Sequence, residues 1–211
     1  MARQRRSKIR KPVAPDPEYC DYVPHPRYGQ GPRITGLNPD SRAPVKPGEP
    51  FVKLHWHSGP SKRVPNTAVE ADPSRQTFST MGVTHYFDSK RTCRDCGRPF
   101  LFFALEQKHW YEELGFHIEA DCDRCVPCRR ARQAIDRHRK RYETLQTVEP
   151  RTPQQDLELA ESCVALVEAR VFGERQTERV RMLLKRLPPK SARRLLRQVE
   201  AIEAKPGSGD A

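Results

Sequence analysis

The sequence predicts a small α+β domain, with an extended proline-rich region before it and an α-helical region after it. Three observations support this prediction. Five of the seven cysteines fall within 36 residues, from Cys93 to Cys128. Thirteen of the twenty prolines precede residue 74, which disfavours a continuous core over the first seventy residues. Beyond residue 150, helix-capping signals and apolar positions at helical spacing recur.

The cysteines form CxxC pairs about thirty residues apart, which is the spacing of a tetrahedral zinc site. Cys93 and Cys96 make up the first pair. The second pair is ambiguous, because Cys122, Cys125 and Cys128 follow one another at equal spacing. Four thiolates fill the shell of one structural Zn²⁺. The remaining thiol of this run is therefore either a neighbour of the site or an alternate ligand.

Composition narrows the class of protein. A net charge of +12 and a pI near 9.6 indicate a polyanionic partner, with nucleic acid favoured. The longest apolar run, Phe100 to Leu105, is six residues, far below the roughly 18 needed for a membrane span. The first residues lack the apolar stretch of a secretory signal. Paired CxxC motifs without an export signal predict reduced, metal-binding thiols and a cytoplasmic location.

The composition of the N-terminal third predicts mostly irregular structure. Residues 1–12 carry six basic residues and no acid, which predicts a basic disordered arm that contacts phosphates or only aids solubility. Residues 13–50 combine proline and glycine with aromatic residues, and we expect an extended strap over a folded part. The alternating stretches Phe51–His57 and Val83–Phe87 predict two short strands.

A second metal site is an alternative that the sequence leaves open. His55 and His57 would project from the same face of the first strand, since side chains alternate with period two. Together with His85, Asp88 or Cys20 they would supply three or more ligands. No spacing enforces that meeting, and a His-x-His on a strand is more often structural.

The segment between and after the cysteines has a clear order of elements. Pro99–Phe103 predicts a short apolar strand, and Leu105–Gly115 predicts a helix that ends with Gly115 at its C′ position. A helix from Arg129 to Leu145 follows Cys128 and carries seven basic residues against two acids. These seven are the predicted nucleic-acid contacts: Arg129, Arg130, Arg132, Arg137, Arg139, Lys140 and Arg141. A cysteine pair that leads into a helix is the arrangement of treble-clef and zinc-ribbon sites.

Three further helices are predicted. Thr152 to Gln155 is a capping box with proline at the first helical position, and the apolar stripe after it includes Cys163 as a core thiol. Gln176–Leu187 and Ser191–Ala204 predict the second and third helices. The stretch from Arg179 to Arg197 holds eight basic residues and no acid, which makes it a further candidate surface for a polyanion.

These elements divide the chain into seven segments. They are the basic arm (1–12), the strap (13–50), short strands and loops (51–90), the zinc-binding domain (91–132), the basic helix (129–147), a three-helix region (150–204) and a tail (205–211). The zinc-binding domain overlaps the basic helix because the second cysteine pair leads directly into it.

Four motifs in residues 91–132 together carry a family resemblance. They are Cys93-Arg-Asp-Cys-Gly, Glu106-Gln107 followed by aromatic residues, Gly115-Phe116, and Cys125-Val-Pro-Cys-Arg129. In this order they resemble the bacterial "probable zinc-ribbon" family. The resemblance implies one zinc ion held by Cys93, Cys96, Cys125 and Cys128. It leaves Cys122 outside, since an arginine follows the last ligand in the family pattern. The family is largely of unassigned function, so the resemblance implies a fold and a metal without a reaction.

The zinc site itself argues against catalysis. An all-cysteine shell leaves no position for a substrate water. Zinc deaminases place a His-x-Glu well ahead of their Pro-Cys-x-x-Cys, whereas His117-Ile-Glu119 lies only a few residues before these cysteines. We therefore expect Glu106 and Gln107 to hydrogen-bond the backbone around the metal or the groups that orient its ligands.

The leading prediction is a non-enzymatic, zinc-stapled module that binds nucleic acid, with RNA or a ribonucleoprotein favoured. Four aromatic residues are candidates to stack bases, although in small zinc modules such residues more often fill the core. They are Trp56, Tyr86, Trp110 and Tyr111. The alternative is a scaffold that binds an acidic protein. A third hypothesis, a metalloenzyme, requires the second site at His55, His57, His85 and Asp88.

Overall fold

The computed structural model describes residues 17–43, 51–56, 59–78 and 81–204. The predicted arm at 1–12 and tail at 205–211 lie outside these residues, as does His57. The chain divides into two compact units, with the boundary after Cys128. Within the described part of the chain, no helix has the length and apolar character needed to cross a bilayer.

A β-hairpin organises the first unit. Strand β3 (Ser89–Thr92) pairs antiparallel with β4 (Pro99–Phe102), with Ser89 opposite Phe102 and Thr92 opposite Pro99. The predicted apolar strand is confirmed. Its residues are apolar in succession because β4 is buried on both faces. Phe100 and Phe102 enter one core cluster, and Leu101 enters another.

The strap is described over residues 17–43, and its first part packs against this hairpin. Tyr19 is buried with Leu101 and Phe103 in one cluster. The backbone N–H of Val23 donates to the carbonyl of Pro99 at 2.8 Å. Further along, the N–H of Arg33 donates to a carboxylate oxygen of Asp88 at 2.8 Å. The strap therefore closes the second face of β4 with side chains and backbone bonds alike.

The strands predicted before the hairpin are shorter than expected. Strand β1 (Val69–Glu70), which the sequence did not indicate, pairs antiparallel with β2 (His85–Tyr86), the centre of the predicted Val83–Phe87 strand. The predicted strand at Phe51–His57 was wrong for its described residues, which make only an isolated bridge from Leu54 to His85. The side chain of Thr84 explains why no longer strand forms. Its hydroxyl oxygen accepts the N–H of Lys53, which a longer strand would donate to a backbone carbonyl.

The helix predicted at Leu105–Gly115 is two structures in succession. Helix α1 (Ala104–Lys108) continues into a π-helical turn (His109–Glu113), where the N–H of Leu114 donates to the carbonyl of His109 at 3.0 Å. Gly115 then ends the element with φ +69°, a left-handed conformation that suits glycine, so its predicted C′ role is confirmed.

The second unit is α-helical. Its elements are α2 (Val126–Gln146, of which the residues from Arg129 on belong to this unit), α3 (Pro153–Glu168), α4 (Gln176–Leu184) and α5 (Pro189–Glu203). The capping box is present, with Thr152 and Gln155 bonding each other's backbone N–H. Leu159, Cys163 and Val180 are fully buried in one core, which confirms Cys163 as a core thiol.

Candidate metal centre

The first cysteine pair lies on the turn of the hairpin. Cys93 directly follows β3, and its N–H donates to the carbonyl of Arg98 at 2.9 Å. The N–H of Gly97 donates back to the carbonyl of Cys93 at 2.9 Å, with Gly97 at φ +70°. Only this left-handed residue lets the chain reverse so tightly that Cys93 and Cys96 turn their thiols to one side.

The second cysteine pair lies at the start of α2. Cys125 immediately precedes the helix and Cys128 lies in its first turn. The two pairs are also joined without any metal. The N–H of Arg94 donates to the carbonyl of Asp123 at 2.9 Å, and Nε of Arg124 lies 2.9 Å from both carboxylate oxygens of Asp95. The residues between Cys93 and Cys96 therefore bond to the two residues just before Cys125, and these bonds hold the two loops in register.

The four thiols converge as a zinc site requires. The Sγ atoms of Cys93, Cys96, Cys125 and Cys128 all lie within 4.8 Å of one another. The Sγ atoms of Cys96 and Cys125 are 3.8 Å apart. A regular tetrahedron with Zn–S bonds of about 2.3 Å has sulfur–sulfur edges of about 3.8 Å. The residues present therefore fit one Zn²⁺ in an all-cysteine shell.

The electrostatics of the cluster favour a cation. Burial raises the pKa of Cys93, but backbone N–H groups of Cys96, Cys125 and Asp95 outweigh it and lower the pKa to about 6. Hydrogen bonding to Cys125 and burial instead raise the pKa of Cys128. Burial likewise raises the pKa of Cys125. Four thiolates so close together repel one another, and a divalent metal ion relieves that repulsion.

Cys122 lies outside this group of four. Its side chain is buried, and its thiol donates to the carbonyl of Arg124 at 3.4 Å. Cys125 and Cys128 occupy the positions that converge with Cys93 and Cys96. The structure thus selects one pairing from the two that equal spacing left open.

Gln107 does not act as predicted. Its side-chain amide donates to the carbonyls of Phe87 and Phe102, at 2.6 and 2.9 Å. These carbonyls lie at the open end of the hairpin, away from the turn that carries Cys93 and Cys96, so Gln107 ties the strands together instead of bonding the cysteine loop. The prediction for this residue was wrong because residue spacing does not show which end of the hairpin α1 packs on.

Glu106 faces the strap. Its carboxylate lies 3.4 Å from Nε2 of His25, and both side chains are largely buried. Nδ1 of His25 accepts the N–H groups of Arg27 and Tyr28, so Nε2 carries the proton that points to Glu106. No sequence pattern indicated His25, because nothing local relates it to a residue some eighty positions away.

The proposed second metal site is not assembled among the described residues. In the part of the chain that the structure describes, the four cysteines are the one group of three or more potential ligands. Nε2 of His55 lies 2.5 Å from the carbonyl of Ile118, and the carboxylate of Asp88 accepts two backbone N–H groups. Burial lowers the pKa of His85. His57 is outside the described residues.

The predicted nucleic-acid contacts lie along α2. Arg129 is half-buried, and the other six are exposed. Within the described part of the chain none of those six forms an ion pair with an acidic side chain. They are Arg130, Arg132, Arg137, Arg139, Lys140 and Arg141.

The four candidate aromatic residues divide into two kinds. Tyr86 and Tyr111 are completely buried, with ring centroids 5.8 Å apart, so neither can stack on a base. Trp110 is half-buried and packs on Phe102. Trp56 is 69% exposed. Three of the four thus serve the small core, and Trp56 alone of these four presents its ring to solvent.

One comparison with known proteins matches this region. Residues 87–137 match the family described as "Probable treble clef domain". The matched segment includes the hairpin, α1, all four converging cysteines and the first half of α2. The segment is thus a treble clef domain with a structural zinc site. Searches among curated proteins and among solved structures gave no significant match.

Proposed function

We propose that this protein binds nucleic acid, with RNA or a ribonucleoprotein favoured, and that its zinc ion has a purely structural role. The observation that carries the proposal is α2. This helix of 21 residues begins at the second pair of zinc ligands and carries six exposed basic side chains that have no acidic partner in the described chain. A helix with so many unneutralised cations is suited to phosphates.

The cations of α2 form stripes. At 3.6 residues per turn, Arg130, Arg137 and Arg141 fall within about 40° of one another on the helix surface. Their Cα atoms span about 16 Å along the axis at 1.5 Å per residue. The buried residue Tyr142 lies about 100° further round the circumference than Arg141, and the buried Leu145 lies one turn beyond the end of the stripe. The stripe therefore offers three guanidinium groups along a line, as a sugar–phosphate strand would require.

The zinc centre supports this helix. Cys125 and Cys128 flank its first residues, so the metal fixes the start of α2 to the hairpin turn. Four protein ligands close the metal shell and leave no coordination position for a substrate. Zinc therefore contributes folding free energy and holds the first turn of α2.

Phosphate contacts predict a steep dependence on salt. If all six exposed cations of α2 contact phosphates, log K falls with log[salt] at a slope of about −4 for a single strand and about −5 for a duplex. Trp56 adds a candidate stacking platform, and base stacking on an aromatic residue contributes about 1–3 kcal/mol. Such contacts are largely independent of sequence, so we expect preference for a nucleic-acid form over a particular sequence.

Fluorescence anisotropy with labelled single-stranded RNA, duplex RNA and duplex DNA tests the proposal. We expect binding at about 50 mM salt that weakens by orders of magnitude at about 200 mM. The triple substitution Arg130→Gln, Arg137→Gln, Arg141→Gln is expected to reduce the single-strand salt slope by about 2. The absence of any complex at the lower salt concentration would refute the proposal.

A matched control removes the same charge elsewhere. Arg27, Arg75 and Arg98 are exposed residues of the first unit. Their joint replacement by glutamine should leave the salt slope unchanged within about 0.5. Equal weakening by both triple variants would show that net charge, and not α2, determines binding.

A scaffold that binds an acidic protein is the second candidate. Exposed apolar side chains favour it: Phe78 and Phe116 flank the bridge between Thr77 and His117, and Leu114 is 52% exposed beside them. Exposed apolar clusters of this kind are typical of protein interfaces. A pull-down distinguishes the two functions, because protein partners that persist after nuclease treatment support the scaffold and partners lost with the nucleic acid support the leading proposal.

A further inference from the structure

The second unit contains a basic groove along α4, which we call the α4 groove. It has a volume of about 410 Å³. Four basic residues, two apolar residues and no acid line it: Arg151, Arg179, Met182, Leu183, Lys185 and Arg186. Three of these, Arg179, Met182 and Arg186, recur at helical spacing, so one face of α4 and the turn after it form a wall.

Two guanidinium groups of the groove are fixed in advance. Nη1 of Arg179 donates to the hydroxyl of Tyr142 at 2.6 Å, and its guanidinium carbon lies 5.3 Å from the centroid of that ring. Nε of Arg151 donates to Asp156 at 2.7 Å, and its Nη1 donates to the carbonyl of Val148 at 2.9 Å. Each guanidinium has five N–H donors, so both keep donors for a ligand. Binding would cost little side-chain entropy because the forks are already held.

The remaining charge of the groove is not neutralised. Asp156 offsets Arg151, whereas Lys185 and Arg186 are exposed and form no ion pair within the described chain. The groove therefore has a net charge of about three positive units in a concave site. Planar guanidinium forks with additional cations favour oxyanions, above all phosphate groups.

We propose that the α4 groove is a second phosphate-binding site, which holds a backbone phosphate of the nucleic acid that α2 contacts. The proposal rests on the function proposed above. A phosphate is favoured over an acidic peptide because Met182 is the only well-exposed apolar side chain of the groove, whereas peptides bind through several apolar anchors. Met182 instead suits contact with a sugar or the face of a base.

The test compares two double variants of the full chain. Lys185→Gln with Arg186→Gln removes two charges from the groove, and Arg193→Gln with Arg194→Gln removes two from exposed positions of α5. Circular dichroism confirms that both variants fold. Inorganic pyrophosphate is titrated by calorimetry, and single-stranded RNA by anisotropy, at about 50 mM salt.

We expect the wild type and the α5 variant to bind pyrophosphate and the groove variant to lose at least tenfold in affinity. RNA affinity should fall about tenfold in the groove variant and less than threefold in the α5 variant.

Equal losses in both variants, or no pyrophosphate binding by the wild type, would overturn the groove proposal while leaving RNA binding intact. Pyrophosphate binding that depends on the groove, without RNA binding, would support the phosphate site and refute the nucleic-acid function. Binding of polyglutamate, without binding of pyrophosphate or RNA, would also overturn the groove proposal.

Discussion

Substitution of Asp88 measures how a buried carboxyl group changes the free energy of unfolding of the first unit. It is 1% exposed, and it accepts N–H groups from Arg33 in the strap and from Ala104 at the start of α1. Burial raises its pKa from 3.8 to about 6, although both N–H groups favour the charged form. The folded state therefore binds the proton of Asp88 more tightly than the unfolded state does.

The sign and size of the effect follow from proton linkage. Because the folded pKa is the higher one, protonated Asp88 stabilises the folded state. This stabilisation is fully present below pH 3.8 and is lost as the pH rises through 6. The full difference corresponds to about 3 kcal/mol, and integration from pH 5 to pH 7.5 gives a loss of about 1.4 kcal/mol. Asp88→Asn has no titrating carboxyl group at this position and therefore lacks this pH-dependent stabilisation. The stability of the variant relative to wild type should therefore increase by about 1.4 kcal/mol over that pH range.

Urea denaturation followed by tryptophan fluorescence measures this difference. Both tryptophans, Trp56 and Trp110, lie in the first unit, so the signal reports that unit. Taking the difference between variant and wild type cancels the pH dependence of zinc binding, which affects both proteins. Asp21→Asn, which removes an exposed carboxylate of the strap, is the control, and a trend of equal size in this variant would show that the effect is not specific to Asp88. A flat or opposite trend for Asp88→Asn would show that the two N–H bonds outweigh burial, which would refute the reasoning.

Three further predictions concern the metal and the second unit. Cys125→Ser should lose the zinc ion and unfold the hairpin and its loops, since structural zinc contributes on the order of 10 kcal/mol, whereas Cys122→Ser should retain one zinc per chain in elemental analysis. Leu159→Ala opens a cavity in the fully buried core of the helical unit and should cost about 3–5 kcal/mol in denaturant unfolding followed by circular dichroism. Thr152→Ala removes the capping box of α3 and should cost about 1 kcal/mol in the same assay, while a cost below about 0.3 kcal/mol would contradict the capping role.

Local patterns were sufficient for much of this fold. The CxxC spacing, the C′ glycine at Gly115 and the capping box at Thr152 each depend on residues within a few positions, and each is present in the structure. The apolar run of β4 also predicted a strand correctly, since a strand buried on both faces does not alternate with polar residues. Such features follow from local backbone geometry, which a sequence encodes directly.

Contacts between distant segments were not predictable in the same way. The bonds of Gln107 to the hairpin, of Glu106 to His25 and of Asp88 to Arg33 join residues whose separation carries no periodic signal. The choice between Cys122 and Cys128 was different. Equal spacing left it open, the family resemblance placed Cys125 and Cys128 in the shell, and the structure brings these two together with Cys93 and Cys96.

The strap across β4 has a consequence for the order of events during synthesis. Val23 bonds to Pro99 and bridges to Phe100, 77 positions later in the chain. At about 5–20 residues per second, a ribosome needs about 4–15 s to add that interval. Throughout this time Tyr19 and Val23 lack the surface that buries them, and a chaperone or protease has access to them. The earliest described residues of the first unit can therefore pack only after a hairpin made much later has been synthesised.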